Sequence, residues 1–137
     1  MTITALSLLV RKSRLTAVRD AIDASAGGSL LFYEGADVPA SPETTATDTL
    51  LGDLPLASPC GTIGDSGGLG TLTLTVPRVA SAIATGTIGW VRFVDGAGVG
   101  ILDRVAVAVG TAGPVVVSDL QVYAGGEIQL ISCVISE

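Results

Sequence analysis

The sequence predicts an all-β, jelly-roll-like β-sandwich in a single domain, residues 1–137, with at most one short N-terminal helix. Three observations predict it. Short runs rich in Val, Ile, Leu and Thr recur with turn signals every dozen residues or so, the rhythm of sandwiches and barrels. Thr71 to Val76 alternates strictly, with Leu72, Leu74 and Val76 on one face and Thr71, Thr73 and Thr75 on the other, as a half-buried strand does. The chain is also long enough to bury about two-thirds of its extended surface, so it needs no metal or disulfide to fold.

The elements follow in order. Thr2 to Val10 alternates loosely and is expected as a first strand. Ser13 is expected to cap a short helix with Leu15, Val18 and Ile22 on one face, stopped by Gly27-Gly28. Within this basic N-terminal segment, residues 11–26, the charges oppose the helix dipole. Arg14 sits at the positive end and Asp20 and Asp23 toward the negative end, so the basic residues serve something other than helix stability. Ser29 to Glu34 is a compact apolar run, Leu30-Leu31-Phe32-Tyr33, closed by Gly35, and reads as a buried strand. Residues 35–48, with Pro39, Pro42 and Glu43, form a polar surface loop.

Thr49 to Ala57 is a further strand, ended by Pro55 and Pro59. Thr87 to Asp95 follows the alternating strand, with Ile88, Trp90 and Val94 on one side. Arg92 shares that side, so it must reach an edge or a partner. Asp95-Gly96 signals a turn, and Val99 to Asp103 is the return strand. Val105, Val107 and Val109 alternate with alanines, Val115 to Val117 starts a short strand after Pro114, and Gly125-Gly126 turns the chain into a last strand, Glu127 to Ser136. The total is about eight to ten short strands.

Catalytic readings fail on residue types. Gly64-Asp65-Ser66-Gly67-Gly68 is the string around the nucleophile of trypsin-like proteases, yet the chain has no histidine. Acylation by serine needs a base to take the hydroxyl proton, and the single lysine, Lys12, lies in the basic cluster. The string is therefore expected as a mobile glycine-rich connection with Ser66 chemically ordinary. Lys12 lacks a P-loop context, and Gly96, Gly98 and Gly100 lack dinucleotide-fold spacing. Asp37, Asp53, Asp65, Asp95 and Asp119 flank turns, where Asp bonds nearby backbone N–H groups. Cys60 and Cys133 form no CxxC pair and read as buried free thiols. No enzyme, cofactor or metal is expected. The aromatic residues are few, and Trp90 reads as core or interface rather than as a sugar platform.

Composition points to contact surfaces instead. Hydrophobic residues make up 48% and charged residues 15%, with no apolar run of transmembrane length. Such an excess suggests apolar surface buried against other subunits. A net charge of −6 argues against general nucleic-acid binding. The basic residues are unevenly placed. Arg11, Lys12, Arg14 and Arg19 lie in one segment, and with Arg92 they are the candidate partner-binding residues.

Leu30-Leu31-Phe32-Tyr33-Glu34-Gly35, the Thr/Pro loop after it, and Thr49-Leu50-Leu51-Gly52-Asp53-Leu54 carry a resemblance. So do Gly86-Thr87-Ile88-Gly89-Trp90-Val91-Arg92-Phe93-Val94-Asp95 and Gly125-Gly126-Glu127-Ile128. Together they resemble the cement (decoration) proteins of tailed-bacteriophage heads, across most of the chain and through diffuse strand and turn patterns. The resemblance implies a jelly-roll-like sandwich, homodimers, docking across neighbouring major capsid protein subunits on the outer surface of the virion, and no catalysis or cofactor. It carries over no site residue. A tail- or baseplate-associated phage component and a small glycan-binding β-sandwich module are the alternatives.

Overall fold

The computed structural model describes residues 5–105, 107–109 and 114–137. One helix, α1 (Leu8–Asp23), precedes the strands β1 (Ser29–Glu34), β2 (Leu50–Pro55), β3 (Gly61–Ser66), β4 (Leu69–Leu74), β5 (Arg78–Ser81) and β6 (Gly86–Val94). Five more follow: β7 (Gly100–Val105), β8 (Val107–Val109), β9 (Val115–Val117), β10 (Gln121–Val122) and β11 (Glu127–Ser136). They form a five-stranded sheet ordered β10-β6-β1-β2, with β7 also on β6, and a six-stranded sheet ordered β3-β4-β11-β9-β8, with β5 also on β11. The pairings are antiparallel except for β8 with β9, which is parallel. The fold is an all-β sandwich of two sheets with one N-terminal helix.

Alternation builds the core. Leu30, Phe32, Val91 and Phe93 from the five-stranded sheet join Leu72, Leu74, Leu130 and Cys133 from the other, none more than 2% exposed. Burial of each such side chain contributes about 1.5–3 kcal/mol. One seam of the sandwich is closed by main-chain bonding. Gly52 bridges Ala82, and the Ile83 N–H donates to the Leu51 carbonyl at 2.8 Å. Across the same seam Arg78 donates from Nε and Nη2 to the Pro55 carbonyl at 3.1 and 2.9 Å. At the other seam the chain leaves β7 of one sheet and enters β8 of the other.

The described part of the expected first strand, Thr2 to Val10, is not a strand. Met1 to Thr4 lie outside the described residues, and the helix begins at Leu8. Ser7, not Ser13, is the N-cap, its Oγ accepting the Val10 N–H at 3.3 Å. Leu8, Leu15 and Ile22 recur every two turns, and this helical period overrides the loose alternation. Leu15 and Ile22 are fully buried, and Val18 packs against the same core. Ser13 lies inside the helix, its hydroxyl donating to the Leu9 carbonyl. The helix packs on β4 and β3 and covers that end of the sandwich.

The glycine string is also corrected. Gly64 to Ser66 belong to β3, which pairs with β4 from Gly61↔Leu74 to Ser66↔Leu69. Gly67 and Gly68 alone make the turn, at φ +57° and +80°. Both lie in the left-handed region that a two-residue hairpin turn requires and that glycine adopts without strain. The string is a tight hairpin, not a loose connection. The strand expected at 71–76 is β4, shifted two residues earlier. β1 and β11 have the expected bounds, and β5 and β10 are short strands the periodicity did not signal. In the Val105–Val109 alternation, Ala106 and the side chains on either side lie outside the described residues.

Candidate functional site

The outer face of the five-stranded sheet carries a built cluster. Since Leu30 and Phe32 point into the core, their neighbours Leu31 and Tyr33 point out, opposite Arg92 and Trp90 of β6. Tyr33 stacks on Trp90 with ring centroids 4.4 Å apart, and the Arg92 guanidinium lies 5.4 Å from the Trp90 centroid. Asp103 of β7 sits directly across from Arg92. Its two oxygens accept from Arg92 Nε at 2.7 Å and Nη2 at 3.0 Å. Their side chains are 6% and 8% exposed, so this is a buried bidentate pair. That bond to Asp103 raises the Arg92 pKa, while burial opposes it. Burial pushes the Tyr33 phenol up, and the Arg92 charge pulls the other way.

The 35–48 loop is strapped over this face. Arg92 Nη1 donates to the Thr44 carbonyl at 2.7 Å. Asp48 Oδ2 accepts from both Trp90 Nε1 and the Asp37 N–H, each at 2.9 Å. Gly100 packs against the Pro42 carbonyl, where a Cβ would collide with backbone. Between this loop and the β6–β7 turn lies a groove of about 350 Å³, floored by Leu31, Tyr33, Arg92 and Val94. The turn is braced by Asp95, whose Oδ1 accepts from the Ala97 and Val99 N–H groups, each at 2.9 Å. Sequence reasoning missed the groove because its walls come from segments far apart in the chain. The one pointer was Arg92 on an apolar strand face.

Arg92 is not at a free edge: it is 5% exposed, and its partners are internal. It therefore stands apart from the other candidate residues, which α1 holds together. Lys12 Nζ pairs with Asp65 at 3.2 Å and Arg14 Nη1 with Glu137 at 2.6 Å, on β3 and just past β11. Arg19 pairs with its neighbour Asp20 at 3.3 Å. Arg11 Nε is buried without a hydrogen-bond partner among the described residues. At the acidic end of α1, Asp23 Oδ1 accepts the Cys60 N–H at 2.9 Å. Charges set against the helix dipole thus dock the helix onto the sheets.

The single lysine is engaged by Asp65 of the protease-like string, not by Ser66. Lys12 reaches Asp65, whose cross-strand partner Gly70 lies against the helix. Strand alternation turns Ser66 to the opposite face, away from that ammonium. Cys60 and Cys133 are buried free thiols, both pushed up to about 12, chiefly by burial and for Cys60 also by Asp23. Among the described residues there is no His/Cys/Asp/Glu cluster able to hold a metal, and no helix long and apolar enough to cross a membrane.

The outer face of the six-stranded sheet has another chemistry. Register puts Thr62, Gly64 and Ser66 of β3 beside Thr73, Thr71 and Leu69 of β4, and these beside Val134 and Ser136 of β11. Val79 and Ser81 of β5 continue the row opposite Gln129 and Glu127. Among the described residues, Glu127 at the margin is the one charged side chain in it. Leu69, Val79 and Ile131 are 44, 53 and 41% exposed. No family model, curated protein or solved structure matches the chain.

Proposed function

We propose that the chain is a non-enzymatic structural protein that binds the outer surface of a tailed-phage head and stabilises it by bridging neighbouring major capsid subunits. The observation that carries this reading is the outer face of the six-stranded sheet, which among the described residues is charged only at its margin, at Glu127. In a chain of net charge −6, a Thr, Ser and Val face with exposed Leu69, Val79 and Ile131 desolvates cheaply against a partner. Elsewhere an acidic surface repels like-charged neighbours. A protein that binds only the assembled shell stabilises it by mass action, and copies paired as homodimers add avidity by spanning adjacent subunits. The basic helix has a smaller part in docking, because Lys12 and Arg14 already hold α1 in place.

The test uses heads that lack the protein. Adding the purified chain should raise the temperature at which they release DNA. Thr73→Arg sets a charge in the middle of the face without touching the core, and should cut occupancy at least tenfold while leaving the unfolding midpoint unchanged. Occupancy equal to wild type would overturn the docking face. Cryo-electron microscopy density confined to the tail would replace the head reading with the tail-component alternative.

A further inference from the structure

We infer that the groove on the outer face of the five-stranded sheet is a binding site for one neutral sugar unit. Its volume of about 350 Å³ lies at the lower end of small-molecule sites, which run from about 300 to 1,000 Å³. Its surfaces are divided as a pyranose requires. Leu31, Val94 and the half-exposed Val99 offer apolar contact to the C–H face of a ring. Glu43, Thr44 and Thr45 make the opposite wall polar, for the hydroxyl edge.

Arg92 lines the floor and is held there by its partners. Arg92 carries five N–H bonds. Asp103, Thr44 and Ser41 take those on Nε and Nη2 and one on Nη1. The other Nη1 hydrogen has no partner among the described residues, on a side chain that is 6% exposed. Both walls are already braced, one by Arg92 and the other by Asp95, so little ordering is lost on binding.

The charges select the ligand class. The Arg92 charge is matched by Asp103, and Glu43 adds a negative charge at the rim, so an acidic sugar meets repulsion. An extended peptide is disfavoured for a separate reason. The floor is the middle of a sheet, where β1 and β6 are paired on both sides and offer no free main-chain edge. The outer faces of a two-layer sandwich point in opposite directions. If the proposed head docking holds, the groove therefore faces outward from the shell, but sugar binding itself does not depend on that reading.

The test is a titration of the full free chain followed by ¹⁵N–¹H correlation spectra. The probes are glucose, galactose and N-acetylglucosamine, with N-acetylneuraminic acid as the acidic control. At least one neutral sugar should give saturable shifts confined to residues 31, 43–46, 92–94 and 98–100, with a Kd of about millimolar. The acidic sugar should bind at least tenfold more weakly. Val99→Trp, which fills the groove from an exposed position, should abolish the shifts, and Glu43→Gln should weaken them at least threefold. Shifts absent for every neutral sugar at tens of millimolar, spread beyond the groove, or indifferent to Val99→Trp would overturn the site. Head occupancy of Val99→Trp, measured in parallel, reports on the docking proposal alone.

Discussion

At the scale of single residues, the strongest constraint is Arg92 with Asp103. Removing one partner of a buried pair leaves an uncompensated charge, which costs about 3–5 kcal/mol. Arg92→Ala should lower stability by that amount in denaturant unfolding, and should also free the 35–48 loop, since Thr44 and Ser41 lose their donor. Arg92→Met with Asp103→Leu should recover most of the loss, because the apolar pair strands no charge. If the double variant were as unstable as the single, loop strapping rather than charge burial would account for the cost. The thiols make a second residue-scale prediction. With Cys60 and Cys133 pushed up from 9.0 to about 12, the thiolate fraction at pH 8 falls about a thousandfold. Neither should react with a disulfide reagent in the folded chain, and both should react at once in guanidinium. The sign for stability follows from the raised values. Below the unfolded value of 9.0 the neutral thiols add no pH dependence, and between there and about 12 the unfolded state ionises first. Stability should therefore fall as pH rises through that window, and Cys133→Ala should make the fall shallower.

At the scale of elements, the β3–β4 hairpin and α1 show where sequence reasoning reaches and where it stops. Gly67 and Gly68 sit at positive φ with open space around them, so a side chain there meets backbone strain and nothing else. Gly68→Ala should cost about 1–2 kcal/mol, and Gly68→Asn markedly less, because Asn tolerates the left-handed region. Equal losses for the two would mean that the turn is not of the left-handed type. The strands with continuous apolar or strictly alternating residues were legible: β1, β4, β6 and β11 follow from their own side chains. The helix was half legible, since Leu15, Val18 and Ile22 mark its buried stripe. Its start was hidden because Leu6 to Val10 satisfies two periods at once, and only packing on β4 decides between them. β5 and β10 were illegible because such short strands are defined by their partners, not by their own pattern. The groove was hidden for the same reason at longer range. Arg92 could be singled out as a charge on an apolar face, but Asp103 and the Thr44 carbonyl that answer it become neighbours only through strand register and loop closure.

At the scale of the whole molecule, the sandwich separates two kinds of surface. One outer face is nearly without charge, the other carries a neutralised ion pair beneath a groove, and on α1 Lys12 and Arg14 are paired with Asp65 and Glu137. This division decides how docking should respond to salt. Contacts between exposed charges are screened over about 8–10 Å at ordinary ionic strength, whereas burial of uncharged surface is not. The proposed head binding through the Thr and Val face should therefore change less than threefold between low and several-hundred-millimolar NaCl. Docking through Arg11, Lys12, Arg14 and Arg19 would instead weaken more than tenfold over the same range. The double reversal Lys12→Glu, Arg14→Glu sharpens the comparison. Each lost pair is exposed and worth about 0–1 kcal/mol, so the variant should stay folded with a modestly lowered midpoint. Its occupancy on heads should then stay within threefold of wild type, while that of Thr73→Arg collapses. A steep salt dependence together with loss of binding in the double reversal would move the docking surface from the sheet face to the helix.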